Sequence, residues 1–383
     1  MPAGQLNSQS PTLSEPPTAG ISEPRPVQWK RRLGQTACFF VIVVLFTFIA
    51  WIILLWLPQK RYDRTLTHTF GIGIDLSPSY ATAAVSYPNG SIRTIARVEG
   101  DEAYREMMFR LSLSSSEHIH DPHRDLGEAF ADIPRQLVRD TRKSLGLPKS
   151  RDAGTLSNMI RALRDRASDF VGEPVSSAAI SIPHLAALYG EDLRDAFEYL
   201  ELAYLEGSRT WDRRPAYTSV AAYTGNGLGL CRNYTDPTAC REENLPTHYA
   251  LTVTYTHTSL TTSQANVGPG TYLEEIPAYA NLRLGYDHRH EKSYWTAVEE
   301  MLRAPMLRSP SSRWNVTMVI VAGDAAEKVK FREVLERVID DVVGGEQQVV
   351  DHDPEFSAAK GIAEHAKRAI FEELHKPDMT SEL

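Results

Sequence analysis

The stretch from Ala37 to Leu57 has the fewest structural options in this sequence: it runs 21 residues, and Thr47 is its only polar member. A helix of that length crosses the ~30 Å of hydrocarbon in a bilayer with every backbone N–H and C=O bonded within itself. Trp51, Trp56 and Tyr62 fall towards its far end, where amphipathic rings favour the membrane interface. The run is too long and starts too late for a cleaved signal peptide. The chain is therefore expected to divide into four parts. A tail over 1–34 holds six prolines among Ser, Thr and Gly and has too few large apolar residues to form a core. A transmembrane helix over 35–58, a domain over 62–375 and a short tail over 376–383 follow.

Arg25, Lys30, Arg31 and Arg32 precede the run, and Lys60, Arg61 and Arg64 follow it, which leaves almost no charge bias to set orientation. Downstream residues set it instead. Asn89, Asn233 and Asn315 each open a glycosylation sequon. Cys38 lies in the run, so the domain keeps only Cys231 and Cys240, nine apart in "CRNYTDPTAC". Such a pair suits a short disulfide in an oxidising compartment, and two unrelated thiols is the other reading. The expectation is a cytoplasmic N-terminus and a lumenal or extracellular domain, a glycoprotein of the secretory pathway. A net charge of −8 and a pI near 5.9 argue against nucleic acid as a partner.

Within the domain, "GIGIDL", "ATAAVSY" and "SIRTIARV" read as three strands, with Pro88-Asn89-Gly90 turning the second into the third. Leu156, Ile160, Leu163 and Phe170 recur at helical spacing up to Gly172, and "VSSAAISIPHL" follows as a buried strand. A helix over 190–207, a Thr-rich hairpin over 249–267 and a helix ending at Pro305 come next. A strand, a turn at Gly323 and a helix occupy 315–339. The last helix, "PEFSAAKGIAEHAKRAIFEEL", carries a stripe of small residues that permits close packing. Strands and helices in this order predict an α/β fold with parallel pairings. No repeat of 20–50 residues is visible.

These segments, taken in order, resemble the nucleotide-binding domain of the seventy-kilodalton heat-shock chaperones, within the actin-like ATPase superfamily. The family's first phosphate loop, Gly-Ile-Asp-Leu-Gly-Thr-Thr-Tyr, is matched at Gly73, Ile74, Asp75, Leu76 and Tyr80, with Ser77, Pro78 and Ser79 in place of Gly-Thr-Thr. Ile182-Pro183-His184 resembles its Val-Pro-Ala strand end, and 190–205 the helix after it. Pro215 to Gly225 is similar to its first connecting segment. Leu284-Gly285-Tyr286 echoes Leu-Gly-Gly, and Val321-Ala322-Gly323-Asp324 resembles the adenosine-side Val-Gly-Gly-Ser. "DPEFSAAKGIAEHAKRAI" is similar to the second connecting helix, so the likeness runs from Phe70 to Ile370. It implies a bilobal actin-like (ribonuclease H-like) fold. It also implies ATP and Mg²⁺ as cofactors, with Asp75 at the metal and Asp75, Ser77, Ser79, Tyr80, Gly323 and Asp324 around the nucleotide.

The departures fall on the parts that handle phosphate. Glycines in such loops let backbone N–H groups approach phosphate oxygens closely. Pro78 has no N–H to offer. The family's second loop reads Asp-Leu-Gly-Gly-Gly-Thr, where this chain has Thr254-Tyr255-Thr256-His257-Thr258-Ser259, without carboxylate or glycine. Neither Lys143 nor Lys149 has the context of the family's catalytic lysine. Phosphoryl transfer is mostly positioning and charge neutralisation, so the expectation is a pseudo-ATPase that binds or scaffolds a protein partner. The alternative is an ATP-binding conformational switch with slow or no hydrolysis.

Other constellations carry less. His118, His120, Asp121 and His123, and again Asp287, His288, His290 and Glu291, lack the spacing of zinc sites. Ser79 and His184 lie in no glycine-flanked nucleophile elbow. No pair of carboxylates stands out for glycan chemistry.

Overall fold

A computed structural model of the chain describes Val44, Leu45 and residues 68–205, 215–268, 278–307, 316–344 and 347–375. The chain divides into two units, Met1–Asp63 and Arg64–Leu383. Apart from Val44 and Leu45, the expected membrane span lies outside the described residues, as does Asn315. Among the described residues, no helix is long and apolar enough to cross a membrane.

Two sheets organise the second unit. The first contains β1 (Gly71–Leu76), β2 (Tyr80–Ser86), β3 (Ile92–Glu99), β4 (Ser177–Ile182), β5 (Ala203–Tyr204) and β6 (Ala216–Tyr217). Its order is β3-β2-β1-β4-β5, with β6 pairing the far end of β4. β2 is antiparallel to β1 and β3, and β4 is parallel to β1. The other sheet contains β7 (His248–Tyr255), β8 (Leu260–Val267), β9 (Ala278–Asn281), β10 (Met318–Ala322) and β11 (Gln348–Val350), ordered β9-β8-β7-β10-β11. Here too the first two pairings are antiparallel and the last two parallel. One strand order with one set of directions thus occurs twice, without a repeat in the sequence. The mixed α/β class is as expected.

The helices of the first half are α1 (Glu102–Leu111), α2 (Leu126–Ser144), α3 (Arg151–Val171), α4 (Gly190–Tyr199) and α5 (Thr218–Gly225). Those of the second half are α6 (Pro237–Glu242), α7 (Tyr294–Leu307), α8 (Val329–Val342) and α9 (Ser357–Leu374). One core joins the first sheet to α1, α3 and α4, and another joins the second sheet to α7 and α8. Between the sheets lie α5 and α9, sharing a third core with Ala179, Ala250 and Ile320. β1 is buried along its whole length, Ile72, Ile74 and Leu76 facing the first core. Its other face is bare at Gly71 and Gly73, where a Cβ would fall closer than 3.0 Å to backbone atoms of Lys367 and Ala363 on α9. The small-residue stripe of α9 therefore lies directly on the central strand.

α1 and α6 were not read from the sequence, and three further helices differ from that reading. α4 stops at Tyr199 rather than Gly207, because Glu201 turns at φ 54° and the chain re-enters the sheet as β5. α7 continues past Pro305 to Leu307. The carbonyl of Met301, deprived of its helical N–H by that proline, accepts from the Thr262 hydroxyl at 3.3 Å. The polar stretch around Lys143 and Lys149 belongs to a helical pair. α2 runs beside α4, with Arg135 on Glu191, Arg139 on Asp195 and Lys149 on Asp195 at 3.1 Å.

Candidate functional site

Each sheet contributes one hairpin turn, and the tips of the two turns meet. The β1–β2 turn is closed by Ser77 N–H donating to Tyr80 C=O at 2.8 Å, and the β7–β8 turn by Thr256 N–H donating to Ser259 C=O at 2.9 Å. These are the two places where the family likeness puts phosphate loops, and the duplicated topology makes them equivalent in the fold.

The second turn uses up its own donors. His257 N–H donates to Asp324 Oδ1 at 3.0 Å, while Thr258 N–H and Ser259 N–H donate to Thr256 Oγ1 at 3.2 and 2.9 Å. With Thr256 N–H on Ser259, all four amides of the turn are satisfied inside the protein. The Thr256 hydroxyl is buried and also 2.8 Å from Ser259 Oγ, so a side-chain turn of the protein's own takes up these amides. Behind the turn, Tyr286 N–H and Asp287 N–H donate to the carbonyls of Thr256 and His257, each at 3.0 Å. A Cβ on Gly285 would strike Thr258.

The first turn is held as tightly. Tyr104 OH donates to Ser77 C=O at 2.8 Å and Gly100 N–H to Ser79 C=O at 2.7 Å. Across the gap, Thr258 Oγ1 donates to Ser79 Oγ at 2.8 Å, so the two tips are bonded to each other. A hollow of about 240 Å³ remains beside that bond, lined by Pro78, Arg105, Phe109 and Leu282 among others. Small-molecule sites run from ~300 to ~1,000 Å³. A wider depression of about 610 Å³ lies elsewhere, between Arg164 and Val175 at the end of α3.

Arg97 of β3 links the first sheet to the loop after β10. Its guanidinium lies 4.0 Å from the centroid of the buried Tyr80 ring, and bonds Asp324 at 2.9 Å, Glu355 at 2.8 Å and Glu99 at 2.7 Å. The Asp324 side chain is only 6% exposed, so its carboxylate depends on Arg97 and the His257 amide for compensation. Gly323 is fixed by packing: at φ +100° its missing Cβ would collide with the Tyr255 backbone, and its N–H donates to Pro354 C=O at 2.8 Å. Arg97→Ala is expected to lower stability by about 2 kcal/mol, since a hydrogen-bonded buried carboxylate loses its cation. Hydrogen exchange should then quicken selectively in the two turns and the 323–326 loop.

Asp75 ends β1 on the α9 side. Its Oδ1 accepts from Ser181 Oγ at 2.7 Å and Thr218 Oγ1 at 2.9 Å. Loss of water on burial pushes its carboxyl up to about 7, against those two hydrogen bonds. Of the six residues expected at the nucleotide, Ser77, Ser79 and Tyr80 belong to the first turn, Gly323 and Asp324 to the loop that backs the second, and Asp75 is held by Ser181 and Thr218. Arg97 and Tyr104 were missed by sequence reasoning. An arginine in a half-exposed strand carries no local signal of partners more than two hundred residues along the chain.

The residues weighed and set aside from the sequence are dispersed. His118 and His120 pack on the Tyr189 ring, Asp121 pairs with Arg194, and His123 with Asp132. Asp287 bonds His257, and His288 bonds Glu291. No group of three or more His, Cys, Asp or Glu able to hold a metal occurs among the described residues. His184 stacks on Tyr217 and bonds Ser219, and burial pushes its imidazole down to about 4. Asn89 and Asn233 are exposed, and each carboxamide oxygen accepts from its own sequon hydroxyl, Ser91 or Thr235, at 2.7 Å. Cys231 and Cys240 are bonded, their Cα atoms 5.2 Å apart, and Arg368 of α9 donates to Cys231 C=O at 2.9 Å. No protein-family model matches this chain, and no curated protein matches it.

Proposed function

We propose that this chain is a membrane-anchored pseudo-ATPase of the actin-like superfamily, whose lumenal or extracellular domain acts as a binding or scaffolding module with its nucleotide cleft closed by its own side chains. The observation that carries this reading is the state of the β7–β8 turn. Thr256 Oγ1 and Asp324 accept the amides that would otherwise meet phosphate, and Thr258 ties the turn to Ser79. Supporting the superfamily assignment are the twice-used strand order and the two helices between the sheets. Supporting the compartment are the Cys231–Cys240 bond and the exposed sequons at Asn89 and Asn233. The anchor reading rests on the composition of 37–57.

A closed cleft converts a two-lobe clamp into a rigid body. Binding of a protein partner would then use the outer surface, and the lobes would present it in one fixed arrangement. The test is thermal melting of the full chain in detergent with and without millimolar Mg-ATP. A ligand present at 100 times its Kd adds ~2.7 kcal/mol, which moves a midpoint by several degrees in a domain of this size. No shift is expected. A rise in midpoint that Asp75→Ala abolishes would overturn the proposal in favour of the nucleotide-binding switch.

A further inference from the structure

α2 is amphipathic in the reverse sense. Leu126, Phe130 and Leu137 are 77%, 69% and 65% exposed, and Ile133, Val138 and the following Leu145 also face solvent. Its polar side is turned inward: Asp132 and Arg139 are buried. Arg135 bonds both Asp132 and Glu191, and Arg139 bonds Asp195 on α4. Rotating the helix to hide its leucines would strand these charges, so the apolar ridge is a fixed feature of the surface. Ridges of this kind on soluble domains mark contact with another apolar body.

We propose that α2 is a second membrane contact, lying in the interface of the bilayer crossed by 37–57 with its apolar ridge among the acyl-chain ends of a neutral lipid surface. This rests on the reading of 37–57 as an anchor. Three features favour lipid over a second copy of the chain or a partner's groove. Only ten residues, 58–67, separate the apolar run from His68, a tether of at most ~36 Å, so a bilayer is always within reach. A paired coil would need several heptads of apolar seam. Leu126, Phe130, Ile133 and Leu137 fill four seam positions, but the next two are Asp140 and Ser144. A lipid surface imposes no register and tolerates so short a ridge. Finally, the exposed charged side chains of the helix are Asp140 and Lys143, one of each sign, which suits zwitterionic headgroups rather than anionic ones.

The experiment uses the full chain reconstituted into phosphatidylcholine vesicles, with a sequence-specific protease site inserted after Arg64. Before cleavage, resistance to alkaline carbonate extraction reports on the anchor. After cleavage, flotation reports on α2 alone. The severed domain is expected to float with the vesicles. Phe130→Glu/Leu137→Glu should raise the unbound fraction at least tenfold, and Phe130→Ser/Leu137→Ser should do so by less. All three are expected to share one melting temperature, and the serine pair carries the test should the glutamates disturb folding. Complete release of the severed parent domain would overturn the proposal, as a monomer or as a dimer, the latter assigning the ridge to a second copy. Flotation unchanged in both double variants would overturn it as well. Extraction of the uncut chain by carbonate would overturn the anchor reading separately, leaving flotation to decide on α2.

Discussion

Gly361→Val is expected to destabilise the chain severely. A Cβ at Gly361 would lie closer than 3.0 Å to the Ala221 carbonyl and the Gly225 amide on α5, and a Cβ at Gly225 would meet the Ser357 carbonyl in the same way. The two central helices therefore cross backbone to backbone. Overpacking an ordinary core costs ~1–3 kcal/mol because neighbours give way. Here α9 cannot retreat from α5, since its opposite side already rests on β1 at Gly71 and Gly73. The expected loss is about 4 kcal/mol or more, a large part of the ~5–15 kcal/mol that holds a domain together. It would lower the melting midpoint by on the order of 10 °C, followed by circular dichroism. Gly127→Ala on α2, where the new Cβ meets only the Asp125 carboxylate at 3.1 Å, is the control and should change little. A Gly361→Val chain melting with the parent would refute the close crossing.

That crossing was half legible. The Ala and Gly stripe of the last helix announced close packing, because a small-residue periodicity is a local property of the sequence. The partners it packs on, bare glycines of β1 and α5, became identifiable only once the chain was folded. The same division holds for the sheets. β1, β2 and β4 are apolar runs bounded by turn residues and can be read directly, whereas the duplicated strand order is a property of long-range pairing that 20–50-residue periodicity cannot register. α2 went unread although Leu126, Phe130, Ile133 and Leu137 recur at helical spacing. Interspersed charges made the segment look like loop, and these are the charges that face the protein. At the site, the loss of glycine and carboxylate from the β7–β8 turn was plain in "TYTHTS". What replaced them was not, because Thr256 acts through the amides of its own turn and Asp324 reaches it from the loop after β10.

Asp75→Asn is expected to stabilise the chain, increasingly so as pH rises. Burial holds the Asp75 carboxyl at about 7 in the folded protein, above the ordinary ~3.9 of an aspartate in the unfolded chain. Between those values the unfolded chain releases the proton and the folded one keeps it. Stability contributed by the protonated group is therefore full below pH ~4 and is lost as pH climbs to 7. Three pH units at 1.36 kcal/mol each bound the penalty at about 4 kcal/mol. Asparagine removes the charge while its oxygen can still accept from Ser181 and Thr218, and a second amide hydrogen without a partner returns ~1–2 kcal/mol. The net gain should be near zero or slightly negative at pH 4 and reach about 2 kcal/mol at pH 8, measured by urea unfolding across that range. The slope should not vanish, because burial pushes Asp192 of α4 up to about 7 as well, with the same sign. An unchanged slope, or a variant weaker than the parent at pH 8, would rule this account out. The result also bears on function. A carboxylate kept for Mg²⁺ must ionise, and its charge is compensated only when the metal is bound. If the parent chain regains at pH 8, on addition of Mg-ATP, the stability that asparagine supplies without it, Asp75 still holds a ligand. If only the substitution restores it, Asp75 is a buried hydrogen-bond acceptor in a closed cleft.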